Sequence, residues 1–303
     1  MDANGAGRIF HPPLISPERT MGRRRFDFAR QVAVMAIINR TPDSFHDRGA
    51  TYELGAAVDA AERAVAAGAD WLDFGGMPFG AAGPPVPVAE EIERVVPLIE
   101  AVRGRTDAVI SVDTHRADVA RQALAAGADV VNDTNGLRDP GLAGVIADAG
   151  AHVVITHSLG GPRQAVRRPG YDDVVAEVAR FLRERVAHAL DAGIAAERII
   201  IDPGHDLNKN TYHSLEITRR LPEIAEIGHP TLAAVSNKDF IGETLGAPQG
   251  ERLAGTLAAI SVCVLLGARI VRVHDVAPAV AAVRMVEAML GWREPLIAEH
   301  NLD

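Results

Sequence analysis

The run AAGADWLDF, residues 66–74, passes from an alanine pair and a glycine into a short apolar stretch. The pattern returns three times, as AAGADVVND at 125–133, DAGAHVVIT at 148–156 and LLGARIVRV at 265–273. Glycine takes the left-handed conformation that closes a helix, so each copy reads as a helix end turning into a strand. Four further apolar runs, Val32–Ile38, Val109–Val112, Ile199–Asp202 and Thr231–Val235, bring the strands to eight. None alternates between polar and apolar residues, as expected of parallel strands buried on both faces. Amphipathic segments such as Ala89–Arg103, Tyr171–Gly193 and Ala279–Leu290 lie between them. Eight strand–helix units predict an α/β chain folded as a single (β/α)8 TIM barrel, with its active site at the C-terminal ends of the strands. A doubly wound sheet would carry a glycine-rich phosphate loop after its first strand, and IINRTPDSF at 37–45 is not one.

Residues 1–30 are expected to be a lead-in segment or a cap on the barrel bottom, 31–293 the barrel, and 294–303 a tail. The arginines of MGRRRFDFAR, 21–30, read as a solvated patch. Hydrophobic residues make up 48% of the 303 and aromatics only 4%, so the core must be aliphatic. A net charge of −9 argues against nucleic acid as a partner. The single cysteine, Cys263, rules out a disulfide framework or a cysteine-based metal site and reads as a small core residue. The longest apolar stretch, Leu253–Ala268, is shorter than the ~20 residues of a membrane span. With no signal pattern at the N-terminus, a soluble, cytoplasmic chain without a membrane partner is expected.

Polar residues gather where a barrel places chemistry. The first strand runs into NRTPDSFHDRG, the second into DFGGMPFGAAGPP, and the third ends in SVDT. The fourth ends in VVNDTNG, the fifth in THSLGGP, the sixth in IDPGHDLNKN, the seventh in SNKDF and the eighth in VRVHDV. Asp113, Asn132, Asp202 and Lys238 stand on strands three, four, six and seven, around one pocket. A carboxylate suits paired N–H groups, an amide offers donor and acceptor, and a lysine donates to a ring carbonyl or nitrogen. The set complements a pterin. Asn39, Arg272 and His274 meet across the barrel closure and suit a pyrophosphate, with Asn39 an oxygen ligand for Mg²⁺.

INRTPDSF, LDFGG, SVDT, VVNDTNG, IDPG, SNK and RVHDV resemble, in order and spacing, the signature segments of dihydropteroate synthases across residues 32–290. The resemblance implies condensation of 6-hydroxymethyl-7,8-dihydropterin pyrophosphate with p-aminobenzoate in folate synthesis, with pyrophosphate leaving first. It implies pterin binding by Asp113, Asn132, Asp202 and Lys238, and pyrophosphate and Mg²⁺ binding by Asn39, Arg272 and His274. Asp113, Lys238, Arg272 and His274 would be the catalytic set. It also implies a homodimer through barrel helices, to which the apolar helix at 253–268 could contribute.

Departures from the family fall on one side. Its strand-two loop, Glu-Ser-Thr-Arg-Pro-Gly, is replaced by Met77, Pro78, Phe79 and the residues to Gly83, without hydroxyl or guanidinium. Its Ser-Arg-Lys-Ser becomes Ser236, Asn237, Lys238, Asp239, which sets an acid where a substrate carboxylate would dock at a helix N-terminus. Its Phe-Gly-Phe-Gly-Lys becomes His205, Asp206, Leu207, Asn208, Lys209, and its Met-His-Met becomes Thr156, His157, Ser158. The chain is therefore similar to the diverged second dihydropteroate synthase of some actinobacteria. The expectation is a retained pterin and pyrophosphate half, a rebuilt p-aminobenzoate half, and at most weak binding of p-aminobenzoate, sulfa or sulfone ligands. The alternatives are a working synthase, a transferase with another amine acceptor, and a pterin-dependent methyltransferase-type or regulatory binder. Asp73 is expected to brace the barrel mouth, Asp43–Gly49 to form a lid, Trp71 and Trp292 to pack, and His46, His205 and His213 to be loop or surface residues.

Overall fold

The computed structural model describes residues 9–41, 51–78, 85–161, 164 and 166–301. An antiparallel hairpin comes first, β1 (Glu18–Met21) with β2 (Arg24–Asp27). Eight parallel strands follow: β3 (Ala33–Asn39), β4 (Trp71–Gly75), β5 (Val109–Asp113), β6 (Val130–Asp133), β7 (His152–Thr156), β8 (Ile199–Asp202), β9 (Thr231–Ala233) and β10 (Ala268–Val273). They close into a barrel in chain order, with β10 pairing to β9 and β3. The barrel foreseen from the repeats is therefore present. Around it lie α1 (Leu54–Ala66), α2 (Val88–Arg103), α3 (Ala117–Ala125), α4 (Leu142–Asp148) and α5 (Val174–Asp191). The ring continues with α6 (Thr211–Arg219), α7 (Leu221–Ala225), α8 (Asp239–Leu245), α9 (Leu253–Leu265) and α10 (Val276–Met289).

The four repeats behave as their glycines dictate. Gly68 and Gly127 take φ of +95° and +112°, and Gly150 and Gly267 are also left-handed. The acid after the first two glycines has its own use. Asp70 accepts from the amide of Val34 (3.0 Å) and Asp129 from that of Ile110 (2.9 Å), so each ties its strand to the one before it. Their charges are balanced by Arg24 and Arg284 at Asp70, and by Arg103 at Asp129.

Side chains alternate across each strand, and one parity points into the barrel. Met35, Trp71, Val109, Val130, Val154, Ile200, Leu232 and Ile270 fill the lower interior together with Met21, Phe26 and Phe28 of the hairpin segment. The hairpin thus plugs the bottom. Its strands were not foreseen, because the arginine run hides an in–out alternation in which only Arg19, Met21 and Phe26 turn inward. Following the same parity upward gives Asn39, Asp73, Asp113, Asn132, Thr156, Asp202 and Arg272. The barrel is apolar below and polar at its mouth. Among the described residues no helix is long and apolar enough to cross a membrane.

Candidate active site at the barrel mouth

Asp73 lies at the centre of the mouth and is fully buried. It accepts from Ser111 Oγ, from Asn132 Nδ2 (3.1 Å) and from Arg272 Nε (2.7 Å). Arg272 also donates from Nη2 to Asp113 Oδ2 (2.8 Å). Burial works against the charge on Arg272, yet Asp73 and Asp113 together hold its pKa above the ordinary value. A carboxylate flanked by three donors is more than a brace. Asp73 orients two residues that the sequence assigns to ligands. Because an ionised carboxylate only accepts, Asn132 must turn its NH₂ to Asp73 and its carbonyl oxygen elsewhere.

That orientation fixes what the mouth offers. Asn132 Oδ1, Asp113 Oδ1 and Asp202 Oδ2 make no hydrogen bond among the described residues. Asp202 spends its other oxygen on the Gly204 amide (2.7 Å). Burial pushes the Asp202 carboxyl up to about 6 against the pull of that amide and of Lys238, Lys209 and Arg272. Asp113 is pushed up to about 7 by burial, opposed by Arg272 and reinforced by Asp73, Glu91 and Asp133. Lys238, half-buried at the start of α8, is pushed down by burial, with Asp206 the foremost charge opposing the shift.

On the other side, Asn39 ends β3 level with Gly75 and Asp113. A Cβ at Gly75 would lie 2.5 Å from Asn39 Oδ1, so the glycine leaves that amide its room. Asn39 and His274 line one cavity of about 300 Å³ with Thr51 and Arg63. Ser236 Oγ accepts from the His274 amide and meets its Nδ1, both at 3.2 Å. Arg272, by contrast, belongs to the carboxylate network rather than to the Asn39–His274 cavity. A larger cleft of about 760 Å³ between the hairpin and the ends of α3 and α4 touches none of these residues.

The departures from the family motifs fit together. Asp239 opens α8 with its side chain 70% exposed and pairs with Arg252 (2.9 Å), which also holds the carbonyl of Asn237 (2.9 Å). Asn237 sits at φ +56°. Arg94 grips the Gly76 carbonyl just before Met77 and Pro78, which are half-buried. Phe79, His46 and the segment 43–49 lie outside the described residues. The Leu207 carbonyl accepts from Lys209 Nζ (3.0 Å), which also meets Gly204 O (2.8 Å) and His157 Nδ1 (2.9 Å). Asn208 joins Ser158 Oγ (2.9 Å) and the Val166 amide (3.1 Å). His205 is not a surface residue. It is buried against Phe240, bonds to Thr218, and is held neutral by burial with its pKa near about 3. Its neighbours Pro203 and Gly204 gave no apolar periodicity from which burial could be read.

The fold and the mouth define a closed parallel α/β barrel that gathers buried carboxylates and amides at the C-terminal ends of its strands. Residues 35–274 match the family described as pterin binding enzyme. Over 272 residues the chain is 47% identical to the inactive dihydropteroate synthase 2 of Mycobacterium tuberculosis, covering 86% of this chain and 84% of that protein. It is 40% identical over 261 residues to the dihydropteroate synthase of Escherichia coli, covering 86% and 93%. The Xanthomonas albilineans dihydropteroate synthase, solved with 4-aminobenzoic acid, superposes with a TM-score of 0.84 at 41% identity, over 91% of this chain and 99% of that one. The chain belongs to the pterin-binding enzyme family that contains the dihydropteroate synthases.

Proposed function

We propose that this chain is a diverged dihydropteroate synthase that binds the pterin substrate and has weak or no activity with p-aminobenzoate. The observation that carries the pterin half is the orientation of Asn132 by Asp73. It leaves the Asn132 carbonyl oxygen as an acceptor at the strand ends that also carry the Asp113 and Asp202 carboxylates, which supports a fit to an amino-pyrimidinone edge with Lys238 as donor. Asp239 supports the altered half, because it takes the place of the family's serine and is already paired with Arg252, leaving no hydroxyl donor there for an acidic acceptor. The same acid favours a second reading, a transferase whose acceptor is a cationic amine.

Among the described residues no group of three or more His, Cys, Asp or Glu could hold a metal. One amide oxygen is a fitting but insufficient donor for Mg²⁺, which is commonly held in part by substrate phosphates. The ion is therefore proposed to arrive with the diphosphate, with Asn39 as its protein ligand and His274 as a donor beside it. It would neutralise charge on the departing diphosphate. Calorimetric titration with 6-hydroxymethyl-7,8-dihydropterin pyrophosphate tests both points, followed by p-aminobenzoate in the same cell. Binding is expected to strengthen about tenfold with Mg²⁺, and turnover to fall at least about a hundredfold below the E. coli enzyme run alongside, a loss of roughly 2.7 kcal/mol of transition-state stabilisation. Turnover equal to that enzyme would sink the inactive reading, and a cationic amine outperforming p-aminobenzoate would establish the second one.

The dimer is proposed on α9 and α10. Val262 and Leu265 on one and Met285 and Met289 on the other stay exposed, and α9 carries no charged side chain. Sedimentation is expected to give twice 32.1 kDa for the native chain, and the monomer mass for a Met285→Glu, Met289→Glu variant. A monomer from the native chain would remove the proposal.

A further inference from the structure

Two residues in the loop after β8 hold left-handed backbone, Asp206 at φ +63° and Asn208 at +51°. Glycine is the unstrained choice there, and Asp and Asn tolerate it when their side chains find partners. Asp206 finds several. Its amide donates to Ser214 Oγ (3.1 Å) and its Oδ1 accepts that hydroxyl (2.8 Å). Its Oδ2 accepts the amide of Phe240 (3.2 Å), two residues after Lys238 in the first turn of α8. His205, just before it, stacks on the Phe240 ring with centroids 6.0 Å apart. The loop that follows the Asp202 strand and the helix that begins at Lys238 are thus one unit, joined through Asp206.

We propose that Asp206 is the positioning residue for Lys238: its carboxylate ties the loop after β8 to the first turn of α8 and so sets a fixed negative charge beside the lysine that opens that helix. Among the charges that bear on Lys238 are Asp206 and Lys209 from the loop, Arg272 from β10, Asp202 from β8 and Asp239 from α8 itself, and Lys209 disfavours its charge. Arg272 pushes the wrong way. Asp239 is largely solvated and engaged by Arg252, so its field is screened. Asp202 must also meet the ligand. Asp206, half-buried and bonded at both oxygens, is the carboxylate best fixed to offset the burial of the lysine. The tie itself stands on these contacts alone. That Lys238 donates to a ring rests on the pterin reading above.

Asp206→Asn is the probe, because the amide keeps an acceptor for Phe240 and a partner for Ser214 while losing the charge. Lys238 is followed by ¹³Cε NMR in the ligand-free protein, its resonance assigned with Lys238→Arg, and the affinity for 6-hydroxymethylpterin is measured across the same pH range. In Asp206→Asn the titration midpoint of Lys238 is expected to fall by about one pH unit, with the alkaline loss of affinity moving down alongside it and the melting temperature nearly unchanged. Lys209 shares the loop and is itself pushed down to about 7 by burial, which is why the resonance of Lys238 is read directly. A midpoint identical to wild type would overturn the proposal, because a purely structural Asp206 would leave it unmoved. A lowered midpoint in a protein that binds no pterin would uphold the tie and reject the pterin reading. Should Asp206→Asn fail to fold, Ser214→Ala, which keeps the charge but frees one oxygen, is expected to weaken pterin about threefold with the midpoint retained. Unchanged affinity would then count against the positioning role.

Discussion

Replacing Asp73 with alanine is expected to destabilise the fold by about 3–5 kcal/mol, the range for removing one partner of a buried ion pair. The variant leaves Asn132 Nδ2 and Ser111 Oγ without their acceptor and Arg272 balanced by Asp113 alone. Chemical denaturation would read the loss, and thermal unfolding would fall by about 2 °C for each kcal/mol in a barrel of this size. Ligand binding should fail as well, since Asn132 is then free to turn its NH₂ toward Asp113 and Asp202. Asp73→Asn separates the two effects. It restores one acceptor without the charge, so part of the stability should return. Its amide can donate as well as accept, however, and no longer dictates the orientation of Asn132. A loss below about 1 kcal/mol for the alanine variant would mean that Arg272 and Asn132 find other partners, and that Asp73 has no organising role.

The barrel was legible because its physics is local and repeated. A helix that ends in glycine before a β-branched run carries its own stop signal, and residues 68, 127, 150 and 267 supplied four of them with left-handed backbone. The polar residues of the mouth were legible for a related reason. A strand buried on both faces should stay apolar to its end, so an Asp or Asn there stands out, as at Asp113, Asn132 and Asp202. What stayed hidden depends on contacts between residues far apart in sequence. Asp73 looked like a brace because nothing near it names Arg272, 199 positions away, as its partner. The pairing of Arg272 with Asp73 and Asp113 stayed hidden for the same reason. His205 looked exposed because it sits between loop residues, and only the approach of Phe240 on another element buries it. The left-handed backbone at Asp206 and Asn208 is also invisible in sequence, since neither residue is glycine.

Pterin affinity is expected to fall steeply as pH drops below 7, and Asp202→Asn is expected to remove most of it at any pH. The sign follows from the direction of the shifts. Burial raises Asp202 to about 6 and Asp113 to about 7 in the ligand-free protein, so both hold their protons longer than an ordinary carboxylate. A donor-rich ring edge binds the ionised forms, so each carboxyl that is still protonated must lose its proton on binding. Affinity should be level between about pH 7 and 8, fall about tenfold per unit between 7 and 6, and approach a hundredfold per unit below 6, where both groups must ionise. Folding stability runs the opposite way. These raised carboxyls contribute stability that is fully present below their unfolded values near 4 and is lost as pH rises through 6 and 7, so the ligand-free protein should be most sensitive to ligand where it is least stable. Asp202→Asn offers one carbonyl in place of a charged acceptor, a loss of about 1.5–3 kcal/mol, or roughly 10- to 150-fold in affinity. It should also leave a single acid step near 7, that of Asp113. Titration calorimetry from pH 5 to 8 in buffers of different ionisation enthalpy would count the protons released. An affinity that is flat across that range would mean that the ring is held by neutral groups, and that neither carboxylate is the pterin anchor.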